Sequence, residues 1–288
     1  MPAPAAGQWG GVDRHPGPDA PGAIVDIDGT LVDTNYQHTI AWGRAFADHG
    51  VGVPLWRVHR HNGMGGDQLV AAVAGDDVEG RLGEAIRDSE SRRYAELIDE
   101  VAPLPAARAL LERLRTLGHR VVLASSAKPE EVERYVDMLA ARDLVEAWVT
   151  GADVGRTKPH PDLIATAAER LPAAGSLVVI GDTTWDAMAA GRAGIPSIGL
   201  LSGGFGADEL AGAGCAAVFA GAEELADRLE DALTAAWRGR ELGSVPGVDS
   251  RGAADVEPLP GRGSPDGDGL EQEADVVAEG DARQRPAR

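Results

Sequence analysis

The stretch Ala23-Ile24-Val25-Asp26-Ile27-Asp28-Gly29-Thr30-Leu31 constrains this chain more than any other. Ile24, Val25 and Ile27 are β-branched, which suits a strand buried on both faces of a parallel sheet. Gly29 can adopt a backbone conformation closed to other residues, so the chain can turn sharply there. Asp26 and Asp28 are then delivered together to the strand's carboxyl edge, where open parallel sheets bind ligands. Carboxylates this close repel, so one must be protonated or a cation must lie between them. Mg²⁺, bound by one or two carboxylates plus substrate phosphate, meets that requirement. In isolation Asp-x-Asp-Gly fits a surface turn equally well. The rest of the chain decides between the two.

From 34 to 104 the pattern is helical throughout. Thr34 is a candidate helix cap, and Tyr36, Ile40, Trp42, Phe46 and Ala47 recur at helical spacing up to Gly50. Pro54 opens a short helix through Trp56 and Val58. The run His61-Asn62-Gly63-Met64-Gly65-Gly66 reads as a loop, and Asp67 as the cap of a helix reaching Ala74. A longer helix spans Val78 to Glu100. From Pro105 helices alternate with strands at 121–124, 148–149, 177–180 and 197–200, with an edge strand at 216–219 and a last helix at 223–237. This alternation predicts an α/β fold, a Rossmann-like parallel sheet flanked by helices with right-handed crossovers. The all-helical block 34–104 is then an insertion standing over the sheet's carboxyl edge, where a lid belongs. The expected organisation is a disordered leader (1–21), an α/β core (22–33 and 105–237), the helical cap domain (34–104) and a disordered acidic tail (238–288).

Charge narrows the function. A net charge of −19 argues against nucleic acid, which needs a basic face. It leaves room for a small phosphorylated metabolite, for which one local cationic site suffices. The single cysteine, Cys215, permits no internal disulfide, and no Cys/His cluster suggests zinc. No apolar run approaches the about 18–20 residues of a membrane span. The start Met1-Pro2-Ala3-Pro4 lacks the basic and apolar segments of a signal peptide, so the cytoplasm is the expected location.

Three further strand ends add polar groups to the same edge. Ser125 follows the strand 121–124, with Ser126 and Lys128 just beyond; a Ser there also serves as a helix cap. Lys158 lies in Arg156-Thr157-Lys158-Pro159. Lys128 and Lys158 are the only lysines in a chain that otherwise uses Arg, which suggests a role for a point charge rather than a planar fork. Gly181-Asp182-Thr183-Thr184-Trp185-Asp186 repeats the opening theme of apolar strand, glycine and two acids. Asp186 also fits a first-turn acid favoured by a helix dipole.

In this order the groups resemble the four motifs of the haloacid dehalogenase-like hydrolase superfamily, in its phosphatases with an α-helical cap. Asp26-x-Asp28-Gly29-Thr30 is similar to the first motif, Ser125 to the second, Lys158-Pro159 to the third and Gly181-Asp182-x-x-x-Asp186 to the fourth. The likeness covers about residues 22–236. It implies that Asp26 attacks phosphorus to form an aspartyl-phosphate and that Asp28 protonates the departing alkoxide and later activates water. It implies Mg²⁺ held by Asp26, the Asp28 backbone carbonyl and Asp182, with Asp186 ligating the metal or orienting its water. Ser125 would donate to a phosphoryl oxygen, and Lys158 would neutralise Asp26 and the phosphoryl group. Gly29, Thr30 and Ser126 would offer backbone donors to phosphate, and Lys128, His38, His61, Gly65 and Gly66 would line the substrate site.

Within that superfamily Asp28 favours phosphoryl transfer, since displacing a halide needs no proton. The region 34–104 holds no lysine for the Schiff base of phosphonate-cleaving relatives. Asp33-Thr34-x-Tyr36-x-His38 resembles the sugar-phosphate mutases, in which a cap histidine gates the acid/base aspartate. Mutases also need cap cations for a second phosphate. Gly66 occupies the place of an expected arginine, leaving Arg60, His61, Arg92 and Arg93 as substitutes. Hydrolysis is the preferred reading. The alternatives are a mutase and a catalytically silent module that binds partners.

Overall fold

Six parallel strands form one sheet in the order β3-β2-β1-β4-β5-β6: β1 (Gly22–Val25), β2 (Arg120–Ala124), β3 (Ala147–Val149), β4 (Leu177–Gly181), β5 (Ser197–Leu200) and β6 (Cys215–Phe219). The computed structural model describes residues 20–171 and 175–242. The expected leader, apart from Ala20 and Pro21, and the expected tail beyond Leu242 lie outside the described residues. β1 is central, with Ile24 in register with Val122 of β2 on one side and Val179 of β4 on the other. The strand order reverses between β1 and β4, which opens a crevice at their carboxyl ends.

Side-chain alternation gives each sheet face its own core. On one face Ala23, Val25, Val121, Leu123, Val178 and Ile180 pack under α5 (Ala107–Thr116), α6 (Pro129–Met138), α10 (Ala222–Asp227) and α11 (Leu229–Leu242). On the other, Ile24, Val122, Ala124 and Val179 meet α7 (Asp162–Glu169) and α8 (Thr184–Arg192). Between β1 and β2 the chain forms α1 (Asn35–Asp48), α2 (Leu55–His59), α3 (Gly66–Ala74) and α4 (Asp76–Ala95). These helices enclose a separate cluster around Trp42, Phe46, Val58, Leu69, Val70 and Ile86. Trp42, Ala45 and Phe46 supply it from α1 at helical spacing.

The structure departs from the sequence expectations at helix ends. The helix expected to reach Glu100 stops at Ala95, and a 3₁₀ turn follows at Ile98–Glu100. The single helix expected at 223–237 is broken at Arg228 into α10 and α11, and α11 runs on to Leu242. A six-residue helix, α9 (Ala207–Gly212), was not expected; glycines flank it and it carries one buried apolar residue, Leu210. Among the described residues no helix is long and apolar enough to cross a membrane.

The turn after β1 decides where the acids go. Asp26 still donates its amide to Ile180 O at 2.9 Å, so it stays tied to β4. Gly29 N then donates to Val32 O at 2.8 Å and Leu31 N to Ile27 O at 2.8 Å, closing the turn. Gly29 has φ +76°, and a Cβ there would lie 2.2 Å from Asp182 Oδ2 and from Asn35 Nδ2. Gly50 has the similar φ of +72° with open space around it. Gly29→Ala is therefore expected to destabilise the protein more than Gly50→Ala, by about 1–3 kcal/mol of overpacking beyond the shared backbone strain. Chemical denaturation of the two variants measures that difference.

Candidate active site

Asp26 and Asp182 follow adjacent strands at the crevice, and Asp186 lies one turn into α8. One oxygen from each of these three buried carboxylates falls within 4.8 Å of the others. Lys158, 1% exposed, reaches them from the loop before α7. Its Nζ donates to Asp26 Oδ1 at 2.6 Å and to Asp186 Oδ1 at 2.8 Å. Thr30 Oγ1 lies 2.8 Å from Asp182 Oδ1 and 3.2 Å from Asp26 Oδ2, and Asn35 Nδ2 donates to Asp182 Oδ2 at 3.2 Å. A Cβ on Gly203 would lie 2.3 Å from Asp182 Oδ2, so that position too is shaped around the carboxylate.

One lysine cannot balance three carboxylates. Burial raises the Asp26 carboxyl well above the usual range; Lys158 opposes this, while Asp186, Asp182 and Asp28 add to it. Burial, then Asp186, lifts Asp182 to about 7 against the pull of Thr30, Asn35 and Lys158. Such a cluster takes up either protons or a cation. Its all-oxygen donor set and its two uncompensated charges fit a hard divalent metal ion.

Asp28 is held apart from that cluster. Its Oδ2 accepts from Ser125 Oγ at 2.6 Å and its Oδ1 from Thr34 Oγ1 at 3.0 Å. His38 Nε2 lies 3.6 Å from Oδ1, and His38 Nδ1 lies 3.2 Å from Glu90 Oε1. The His38 ring stacks on Tyr94 at 3.8 Å between centroids, and the Tyr94 hydroxyl bonds that of Tyr135. Burial alone would raise the Asp28 carboxyl, but His38, Ser125 and Lys158 bring it below its ordinary value. Burial disfavours charge on His38, yet Asp28 and Glu90 raise it to about 10.

The insertion roofs this edge and leaves a cavity of about 390 Å³ bordered by Asp28, His38 and Lys158. Thr157 joins the two parts: its amide donates to Asp67 Oδ2 at 3.0 Å, and its Oγ1 accepts from Gly65 N at 3.0 Å. Asp67, expected as a helix cap, lies inside α3 and serves this junction. Thr34, also expected as a cap, spends its hydroxyl on Asp28. Gly65, Gly66, Ser126 and Lys128 border the cavity. Ser126 Oγ donates to Gly63 O at 3.1 Å, and the exposed Lys128 ammonium bonds Ser91 Oγ.

Two sequence expectations need correction. Gly29 and Thr30 do not offer amides to a phosphate, because both amides close the turn, Thr30 N on Ile27 O at 3.2 Å. His61 does not border the cavity: its Nδ1 is 2.7 Å from Arg57 O and its ring stacks on Trp185. Sequence reasoning passed over Asn35, Glu90, Thr157 and Gly203. Asn35 was the most accessible of them, being one residue past Thr34 in a helix that starts at the same edge.

A family model described as haloacid dehalogenase-like hydrolase matches residues 21–194, and the chain belongs to that family. It is 30% identical over 185 residues to validoxylamine A 7'-phosphate phosphatase of Streptomyces hygroscopicus subsp. limoneus, covering 62% of this chain and 85% of that one. It is 30% identical over 190 residues to phosphoglycolate phosphatase of Yersinia pestis, covering 63% and 81%. Among solved structures it resembles a hydrolase from Pseudomonas syringae, with TM-score 0.69 and 31% identity over 73% of this chain and 98% of that one. A β-phosphoglucomutase from Clostridium difficile shares the fold, with TM-score 0.64 and 18% identity over 75% and 97%.

The raised His38 makes a pH test with a definite sign. Its pairing stabilises the fold fully below its unfolded value near 6.5, and this is lost as pH rises through about 10. The wild type is expected to exceed His38→Gln in stability by about 1.5–3 kcal/mol near pH 6. Most of that margin should vanish by pH 10. Urea unfolding across this range checks it; a margin growing with pH would contradict the assignment.

Proposed function

We propose that this hydrolase is a phosphatase that cleaves a small phosphorylated metabolite in the cytoplasm, through an aspartyl-phosphate on Asp26 and with Mg²⁺. The supporting observation is the separation of two acids from one turn. Asp26 is held by Lys158 among carboxylates, and Asp28 is held by Ser125 and His38 outside them. The relatives named as phosphatases agree with this reading.

Asp26 attacks phosphorus, and the bond from phosphorus to the leaving oxygen breaks. Lys158 keeps Asp26 oriented and offsets the charge of the phosphoryl oxygens. The Asp28–His38 pair holds the proton that the departing alkoxide takes up. Asp28 then accepts a proton from the water that attacks the phosphorus of the intermediate and frees Asp26. Mg²⁺, held by Asp26, Asp182 and Asp186, would reduce the repulsion between the attacking carboxylate and the phosphoryl dianion. The helical insertion 34–104 acts as the cap that keeps water from the reacting groups.

The arrangement favours hydrolysis over mutase chemistry. Arg60 is engaged by Glu209 and Phe205, Arg93 by Asp48, and Arg92 is exposed. None of these, nor His61, borders the cavity where a second phosphate would sit. Arg87 borders it, but Glu79 holds its guanidinium with both oxygens, at 2.8 and 2.9 Å.

Chelation should abolish turnover and Mg²⁺ should restore it. Asp28→Asn is expected to lower kcat/KM for an alkyl phosphate by about 10²–10⁴. The loss should be far smaller for p-nitrophenyl phosphate, whose leaving group departs without a proton. Steady-state kinetics on both esters makes the comparison. Equal losses would remove Asp28 from the acid role, and metal-independent turnover would refute the cation site.

A further inference from the structure

Away from the reacting groups, the cavity is bordered by hydrogen-bond acceptors that the protein does not fill. Glu90 of α4 and Glu131 of α6 face it, 6% and 9% exposed. Glu90 Oε1 meets His38, and Glu131 Oε2 accepts from Lys128 N at 3.3 Å. Among the described residues, no hydrogen bond engages the other oxygen of either carboxylate. Asn62 borders the same cavity at 5% exposure. Its Nδ2 donates to Asn35 O at 2.7 Å and to Thr39 Oγ1 at 2.9 Å, and its Oδ1 is unpartnered but sealed from solvent, so the glutamate oxygens are the acceptors open to a ligand. His38 offsets Glu90, but the other nearby cations do not cancel the charge of Glu131. Arg87 is paired with Glu79, and Lys128 is exposed, with its ammonium on Ser91.

We infer that the alcohol released by this enzyme is a hydroxyl-rich, non-anionic one, a sugar or amino sugar, and that Glu131 selects it against alcohols bearing a carboxylate. The inference rests on the phosphatase reading and narrows it. Sugar hydroxyls or an ammonium supply donors to the glutamate oxygens that the protein leaves free. A carboxylate on the leaving group has no proton to give. It would also lie against Glu90 and Glu131, where little water screens the repulsion. The cavity, about 390 Å³, has the size of a small-molecule site.

The test measures kcat/KM with Mg²⁺ for wild type and Glu131→Gln. The substrates are hexose 1- and 6-phosphates, glucosamine 6-phosphate, 2-phosphoglycolate and p-nitrophenyl phosphate. Gln at the third position of α6 can still accept from Lys128 N, so the helix start survives, and a melting curve verifies folding. The wild type is expected to prefer at least one sugar ester to 2-phosphoglycolate by ~10-fold or more, and the variant to lose about tenfold of that ratio. If p-nitrophenyl phosphate is turned over but no sugar ester exceeds 2-phosphoglycolate, the inference falls and the phosphatase reading stands. An unchanged ratio in the folded variant overturns the role of Glu131. Should the variant fail to fold, the wild-type preference alone decides the substrate class. No turnover of any ester overturns both readings.

Discussion

The ion pair of Lys158 with Asp26 and Asp186 is the constraint around which the crevice is built. A buried charge is costly unless paired, and removing one partner of such a cluster exposes the rest to their mutual repulsion. Here three carboxylates share one ammonium at the reversal point of the sheet. Parallel register prepares this: with β1 and β4 neighbours and Val25 opposite Ile180, Asp26 and Asp182 leave adjacent strands at the same edge. Thr30, Asn35 and Gly203 are then chosen by the need to fit and satisfy Asp182. An apolar edge would be more stable. The acids agree with the cation site and attacking oxygen proposed above.

The same turn produces two carboxyl groups of opposite character. Asp26 and Asp28 are separated by one residue, yet one carboxyl lies above its ordinary range and the other below. Desolvation acts on both. The difference is company: acids around Asp26, and hydroxyls and a histidine around Asp28. Groups driven apart in this way are those a protein can use as nucleophile and proton carrier. His38 depends in turn on Glu90 and Tyr94 of the insertion, so the proposed proton carrier is shaped by residues distant in sequence from β1.

Local signals made much of this legible in the sequence. Short β-branched runs ending in Asp26, Ser125 and Asp182 mark strand ends, and strand ends in a parallel sheet converge on one edge. Asp186 could be read as a first-turn acid and as a site acid. It is both, since Oδ2 satisfies the amide of Thr183 at 3.1 Å while Oδ1 meets Lys158. What stayed hidden depends on how the insertion lies on the core. Glu90, Asp67 and Glu131 carry no local mark of their orientation. His61 looked like a loop side chain free to reach substrate, yet the preceding helix, through Arg57 O, takes up its ring nitrogen. The amides of Gly29 and Thr30 were offered to phosphate because the turn's internal hydrogen bonds cannot be seen from composition.

The central claim is that the Asp26 carboxylate, held by Lys158, is the atom group that bonds phosphorus. Trapping tests it most directly: the enzyme is acid-quenched during turnover of p-nitrophenyl phosphate, reduced with borohydride and digested for mass spectrometry. Reduction at Asp26 alone, dependent on both substrate and Mg²⁺, is the expected result. Reduction at another acid, or steady turnover in which Asp26 is never trapped and Asp26→Asn stays active, would contradict the account.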